Sequence, residues 1–257
     1  MADGTSARGA KIKGVYAIGL LCLWLFVIFA FVGAASTHPA FAAGAVLLAS
    51  ALLGSIPWGV IISRAFFHTD IREHGSGNIG TTNAMRTMGK KGGVAVFVLD
   101  FGKGVASGLL ALGALWLFVP GAGLLPEAAF PTYDQTLSAA FLGCVLGHIF
   151  SPWLDFKGGK GIAVAIGCLF VTFGVVPSLL EIAIFAVLVL ATRYVSLGSV
   201  AAALACPFFA LYCFWGDIPS IAMCTIAGLA VVWAHRGNVK RLIAGNERRI
   251  GDKKKKS

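Results

Sequence analysis

Apolar residues in this chain come in long blocks, and the polar residues between them come in short, dense clusters. The blocks run approximately over 15–35, 43–63, 93–119, 136–154, 161–176, 178–192, 197–215 and 219–235. They lack the period-two alternation of barrel strands, and a bilayer core of roughly 30 Å needs about 20 helical residues per crossing. Because lipid offers no partner to a backbone N–H or C=O, the pattern predicts an all-α polytopic membrane bundle. The stretch 161–192 is too long for one crossing, since a single helix of that length would reach about 48 Å at roughly 1.5 Å per residue. Gly174 and Pro177 interrupt it, so two short helices should return Arg193 to the side where Lys160 began. Eight crossings are expected.

Charge tests that count, because Lys and Arg collect in cytoplasmic loops. With the N-terminus inside, all 21 basic residues fall on the cytoplasmic side. They are Arg8, Lys11 and Lys13, those from Arg64 to Lys91, Lys103 at a helix entrance, Lys157, Lys160, Arg193, and the tail from Arg236 to Lys256. The opposite loops carry only acids: Glu127, Asp134, Glu181 and Asp217. Composition agrees, with 58% apolar and 12% charged residues where a soluble domain has about 25% charged. A water-soluble fold is excluded. The net charge of +10 has no soluble domain on which to offer a nucleic-acid groove, so anionic lipid and phosphorylated substrates are the expected partners. The six cysteines lie inside apolar runs, without CxxC or a histidine at zinc-ligand spacing, and are read as packing. No metal or cofactor is expected.

The chain divides into a basic start with an apolar helix (1–40), a membrane-embedded core (41–240) and a basic C-terminal tail (241–257). The first segment, ending near Ala40-Phe41-Ala42-Ala43, loosely imitates a signal peptide. Its apolar run is too long for a typical one, and it is read as a retained helix. Lys253 to Lys256 either hold anionic lipid or form a solvated tail.

Three cytoplasmic loops carry candidate chemistry. The first reads His74-Gly75-Ser76-Gly77-Asn78-Ile79-Gly80-Thr81-Thr82-Asn83-Ala84-Met85-Arg86. Its glycines allow backbone N–H groups to face an anion, Ser76, Asn78, Thr81 and Asn83 offer neutral hydrogen bonds, and Arg86 can grip a phosphate bidentately. A plain Asn/Gly turn before a capped helix is the other reading. The second, Phe156-Lys157-Gly158-Gly159-Lys160-Gly161, runs into a helix, so N–H groups, the positive helix end and two ammonium groups converge. It lacks the spacing of a nucleotide-binding P-loop, and a basic positive-inside turn would look similar. Asp100-Phe101-Gly102-Lys103-Gly104 adds another lysine, which an ion pair with Asp100 explains equally well. The third loop, from His235 to Glu247, holds Asn238, and Arg193-Tyr194-Val195-Ser196 reads as a turn with an interfacial tyrosine unless it joins the others.

Together these segments resemble the bacterial acyl-phosphate:glycerol-3-phosphate acyltransferases, the PlsY family. The resemblance begins near Leu53-Gly54-Ser55-Ile56-Pro57 and continues through GSGNIGTTNAMR, DFGKG, GHIFSPWLDFKGGKG, YVSLGS and HRGNVKRLIAGNE, over roughly residues 45 to 250. Jointly the motifs are highly specific. The resemblance implies a seven-span enzyme of the bacterial inner membrane, its active site facing the cytoplasm and its C-terminus inside. Its reaction would make lysophosphatidic acid from acyl phosphate and glycerol 3-phosphate, the first step of phospholipid synthesis, with a soluble enzyme supplying the acyl phosphate. Catalytic roles are implied for Ser76, Arg86, His235 and Asn238. Phosphate and substrate contacts are implied for Asn78, Thr81, Asn83, Lys103, Lys157, Gly158, Gly159, Lys160, Gly161 and Ser196, and a structural role for Glu247. The segment before residue 40 has no counterpart in a typical member and makes one crossing more than seven.

No GxSxG elbow or triad accompanies Ser76, so hydrogen bonding is expected of it rather than acylation. None of the five histidines has an Asp five positions later, which separates the chain from acyltransferases that use a His-x4-Asp dyad. The rival class is a membrane transporter of a phosphorylated solute; such proteins often show repeated halves, and no internal repeat is present.

Overall fold

The computed structural model describes residues 39–118 and 132–252, and all structure below concerns those residues. Their α-helices are α1 (Pro39–Ser55), α2 (Trp58–Phe67), α3 (Thr81–Phe118), α4 (Thr132–Ile149), α5 (Ile162–Thr172), α6 (Val175–Thr192), α7 (Val195–Cys213), α8 (Ile218–Ala234) and α9 (Arg236–Ile243). Single 3₁₀ turns sit at Ile71–Glu73 and Pro152–Leu154, and no strand occurs among the described residues. Five helical stretches are long and apolar enough to cross a bilayer, or six when α8 and α9, bent by 55°, count as one. The all-α membrane class expected from the sequence is therefore what the chain adopts. Helix α5, at 11 residues, is too short to cross alone. The expected crossing at 15–35, Glu127 and Lys253 to Lys256 lie outside the described residues.

Four local expectations are corrected. The block 43–63 is two helices, because Pro57 has no N–H and breaks the ladder between α1 and α2. The carbonyls freed at that break find side-chain donors: Ser151 Oγ reaches Ser55 O at 2.7 Å and Lys103 Nζ reaches Ile56 O at 2.8 Å. Helix α3 starts well before residue 93 and bends at Gly89 (φ 72°, ψ −171°), so Lys103 lies inside a helix and not at its entrance. In the 161–192 hairpin, Gly174 makes the break with φ 76°. Pro177 sits in the first turn of α6, where a missing N–H costs nothing. Glu181 stands in α6 and is buried, not in an outer loop.

Helix α4 is the axis, and its span is the most buried of the five. In lipid, helices associate by close van der Waals packing rather than by a hydrophobic drive, so small residues mark their contacts. A Cβ at Gly147 would lie 1.9 Å from Ala51 O, one at Gly143 2.2 Å from Leu47 O, and one at Gly54 2.1 Å from Cys144 O. These three glycines let the α1 and α4 backbones touch. The same device joins α3 to α5, where Cβ atoms at Gly104 and Gly167 would meet Val164 O at 2.3 Å and Phe101 O at 2.1 Å. Four of the six thiols fill the remaining core as expected, Cys144, Cys168, Cys206 and Cys224 being buried; Cys213 is half-buried, and Cys22 lies outside the described residues.

Replacing Gly147 by Leu should cost at least about 2 kcal/mol through overpacking against backbone. Gly113→Ala, where a Cβ meets nothing within 4 Å, should be neutral or stabilising by a few tenths of a kcal/mol. Thermal unfolding of the two variants in detergent measures the contrast.

Candidate active site

The turns 68–80, 150–161 and 193–194 and the C-terminal stretch 235–252 all gather at one end of the bundle. That end carries every predicted site residue except Lys103, which is buried in α3.

The first loop is folded around one side chain. Buried Asn83 donates through Nδ2 to Ile71 O, His74 O and Asn78 O at 3.1, 3.0 and 2.8 Å. Its Oδ1 accepts the Ser76 amide at 2.9 Å. Gly75 (φ 64°) is required beside it, since a Cβ there would meet Asn83 Oδ1 at 2.1 Å. The side-chain oxygen of Asn78 accepts from Gly80 N at 3.0 Å. Asn83 and Asn78, expected as substrate ligands, thus spend these groups bracing the loop. Asp70 anchors its start, 2.7 Å from both Arg72 and Arg64. The Arg72 guanidinium, bonded to it, holds its carboxyl well below the usual carboxylate range. What the loop leaves outward is the exposed Ser76 side chain and, one turn into α3, the exposed Arg86. The buried Thr81 hydroxyl has no hydrogen-bond partner among the described residues.

In the second loop, Gly158 N donates to Ile149 O at 2.9 Å and Gly159 N to His148 O at 3.0 Å. Expected to present amides to phosphate, these glycines have theirs already committed. Their missing side chains matter instead: Cβ atoms would lie 2.0 Å from His148 O and from His148 Nε2 respectively. Gly161 caps α5 at φ 85°, with no side chain on the helix end. The first N–H groups of α5 therefore keep no intrahelical partner. Lys157 projects into solvent, and Lys160 is half-buried.

Lys160 begins a chain of side chains linking three loops. Its Nζ donates to Asn238 Oδ1 at 2.6 Å, and Asn238 Nδ2 donates to Glu247 Oε1 at 2.8 Å. Ser196 Oγ donates to the same oxygen at 3.1 Å, while Arg241 Nε reaches Glu247 Oε2 at 2.7 Å. Burial lowers the Lys160 ammonium below its ordinary value; Glu247 opposes this, and the charges of Arg241 and Arg86 add to it. Arg86 in turn lies within the field of Arg248, Glu247 and Arg241. For Glu247 burial pushes upward, but hydrogen bonds from Asn238, Arg241 and Ser196 outweigh it and hold the carboxyl below its ordinary value. His235 is buried beside the chain, its Nδ1 2.8 Å from Val231 O. A carbonyl only accepts, so Nδ1 carries the proton and Nε2 of the neutral ring is left as the acceptor.

Part of the stretch read as the basic C-terminal tail (241–257) folds back onto the bundle. Ile250 N donates to Arg193 O at 2.8 Å, and Arg193 Nε returns a bond to Ile250 O at 3.0 Å. That strap delivers Glu247 to the cluster. Lys103 is also reassigned: its Nζ lies 2.9 Å from Asp100 Oδ1, 2.8 Å from Ile56 O and 2.9 Å from His148 Nδ1. All three ammonium protons are used inside the bundle. It touches the site only through the His148 ring beneath Gly159. Arg241 and His148 were not singled out by sequence reasoning, although His148 stands within the GHIF stretch leading into the lysine-rich loop.

Because Glu247 titrates lower in the folded protein, its stabilising effect is complete above the ordinary value of 4.5. It is lost as pH falls through the folded-state value. Glu247→Gln should therefore lower Tm at pH ~7, and its deficit against the parent should shrink toward pH ~4, as read by paired thermal melts.

A family model described as glycerol-3-phosphate acyltransferase matches residues 44–245. Glycerol-3-phosphate acyltransferases of Rhodopseudomonas palustris (strain BisB5) and Thermosynechococcus vestitus are 44% and 38% identical to this chain. The matches cover 82% and 81% of it and 97% and 95% of those proteins. Among solved structures, PlsY (YgiH), an integral membrane glycerol 3-phosphate acyltransferase crystallised in its glycerol 3-phosphate form, superposes with TM-score 0.67 at 33% identity. The match spans 81% of this chain and 96% of that one. The transporter reading falls away. Loops that converge on one basic cluster, on a helical membrane scaffold shared with these enzymes, agree with the matches that place the chain in the glycerol-3-phosphate acyltransferase family.

Proposed function

We propose that this membrane acyltransferase moves a fatty acyl group from acyl phosphate to glycerol 3-phosphate, releasing 1-acyl-glycerol 3-phosphate and inorganic phosphate. The reaction would take place at the cytoplasmic face of the bacterial inner membrane, with the C-terminus inside. The observation that carries this reading is the Lys160–Asn238–Glu247–Ser196 chain, with Arg86 within its field and an uncapped helix end beside it. Such a cluster offers cationic and amide donors for two phosphate groups. The solved PlsY forms named for glycerol 3-phosphate and lysophosphatidic acid fit this chemistry.

The glycerol hydroxyl attacks the acyl carbonyl, the new ester C–O bond forms, and the bond from the acyl carbon to the phosphate oxygen breaks. The electron pair leaves on phosphate, and the hydroxyl proton passes to a phosphate oxygen. Acyl phosphate is an activated donor, so no covalent enzyme intermediate is needed. Arg86 and Lys160 would stabilise charge that grows on the departing phosphate. Ser76, exposed at the loop surface, would orient a substrate by hydrogen bonding, and His235 Nε2 would accept a hydrogen bond from the glycerol. Asn83 and Glu247 hold these groups in place, and Asn238 fixes Lys160. The acyl phosphate itself would come from a soluble enzyme that phosphorolyses an acyl thioester, releasing the thiol, or phosphorylates a free fatty acid.

Purified protein given hexadecanoyl phosphate and labelled glycerol 3-phosphate should form labelled lysophosphatidic acid, and hexadecanoyl-CoA should not replace the donor. Product from the thioester and none from the phosphate would overturn the donor assignment. Arg86→Ala and Lys160→Ala should each lower kcat/KM by about a hundredfold or more while melting like the parent.

A further inference from the structure

A crevice between α5, α6, α7 and α8 leads away from the basic cluster and ends on a carboxyl group. Its upper end is formed by Ile162 and Val231. Ile162 directly follows the Gly161 cap, and Val231 Cγ2 would stand 3.3 Å from a Cβ at Gly161. The Val231 carbonyl is also the one that fixes His235, so the crevice opens where the phosphate chemistry is placed. Below, Ala165, Leu169 and Cys206 line it, and Glu181 lies at the far end. Ile166, Ile182 and Phe185 border it and are only half-buried, so one flank faces lipid.

Glu181 is the anomaly. It is 5% exposed, in a crevice whose other walls are apolar, and its Oε2 has no hydrogen-bond partner among the described residues. Asp100, another buried carboxylate of the bundle, has by contrast an ammonium group at 2.9 Å. A carboxyl left in an apolar membrane setting without such a partner is costly, and intramembrane ionisable groups that persist tend to serve a function. Its depth suggests which one. Helix α6 runs from Glu181 to its cap at Arg193, about 18 Å at roughly 1.5 Å per residue, and Ser196 of the cluster follows directly. One leaflet, half of a core of roughly 30 Å, has nearly that depth.

We propose that this crevice receives the acyl tail of the donor and that Glu181, at its floor, sets the longest tail accepted. The inference rests on the acyl-transfer reading above and adds a length-determining residue to it. A tail of ordinary membrane length would end at Glu181. A longer one would press methylene groups against a carboxyl that already lacks a partner, displacing whatever polar neighbour it can recruit.

Acyl phosphates from dodecanoyl to icosanoyl test this with the full-length protein. The parent's kcat/KM should drop by about tenfold beyond its preferred length. Glu181→Leu should move that drop to a longer donor without changing KM for glycerol 3-phosphate. Ala165→Phe, which narrows the crevice nearer the site, should move it to a shorter one. Active variants with the parent's length profile would overturn the proposal, and if Glu181→Leu does not fold, the Ala165→Phe profile alone decides. Tail binding is read separately by Tm shifts with 1-acyl-glycerol 3-phosphates of the same lengths. A parent that makes no product yet shows a length optimum which Ala165→Phe shortens would sink the donor reading and keep the crevice; no length dependence in the melts would sink the crevice.

Discussion

Positive charge concentrated at the edge of a low-dielectric bundle must be held together before any substrate arrives, and here one carboxylate does most of that work. Glu247 is the acid whose field reaches both Lys160 and Arg86. It is bonded to Asn238, Ser196 and Arg241 at once. Without it, Lys160, Arg86, Arg241 and Arg248 would face one another with little compensation, and the half-buried Lys160 would bear most of the repulsion because the three arginines are exposed. The arrangement leaves the cations unsatisfied in a useful sense. One carboxylate among several cations sets the geometry and still leaves net positive charge for incoming phosphates. The strap from Ala244 to Ile250, pinned on Arg193, exists to bring that carboxylate back from beyond the last helix.

The glycines divide into two physical jobs that look identical in a sequence. Gly54, Gly143 and Gly147 let helix backbones touch, as do Gly104 and Gly167. Gly158 and Gly159 do the same between a loop and the end of α4, while Gly75, Gly77, Gly161, Gly245 and Gly251 supply positive φ within the site segments. The loop-to-helix contact ties the site to the core: the His148 ring lies under Gly159 and is held from behind by Lys103, itself paired with Asp100. A buried ion pair is weak evidence of stability. Its geometry here does fix the ring on which the lysine-rich loop rests, and it closes the carbonyl opened by Pro57.

The fold class was legible in the sequence because it follows from block hydrophobicity, a local quantity. The helix hairpin around Gly174 was legible for the same reason. Helix breaks inside apolar blocks were not. Pro57 was visible, but whether a break costs anything depends on Ser151 and Lys103 arriving from distant positions. The convergence of Lys160, Asn238 and Ser196 was reachable only through the resemblance, since residues 36 and 78 positions apart carry no mutual signal until the helices are packed. Two positions read as ligands are internally bonded, and for Lys103 the ion pair with Asp100 was the equal alternative. Asn83 and Lys103 looked like ligands because polar side chains near glycines invite that reading, yet each had a full set of internal partners waiting. The GxxxG spacing of Gly143 and Gly147 was a local signal of close helix contact, and it went unused.

A substrate with a charged head and an apolar tail poses a problem that neither water nor lipid solves alone, and the architecture answers it by stacking two environments along one axis. Cations, amides and a neutral imidazole occupy the end where helices begin and finish, while immediately below, Ile162 and Val231 start an apolar wall. The boundary between the two is a single residue, Gly161, whose φ of 85° turns the chain from polar loop into apolar helix. On the acyl-transfer reading proposed above, an acyl carbonyl would sit at that boundary, with its phosphate above and its tail below. Helix α5, at 11 residues, is too short to span the full bilayer alone, although α3 and α7 start at the same level and are long enough to cross. Its first-turn N–H groups, left free at the Gly161 cap, stay at the level of Lys160, where the proposed reaction would bring phosphate and acyl group together.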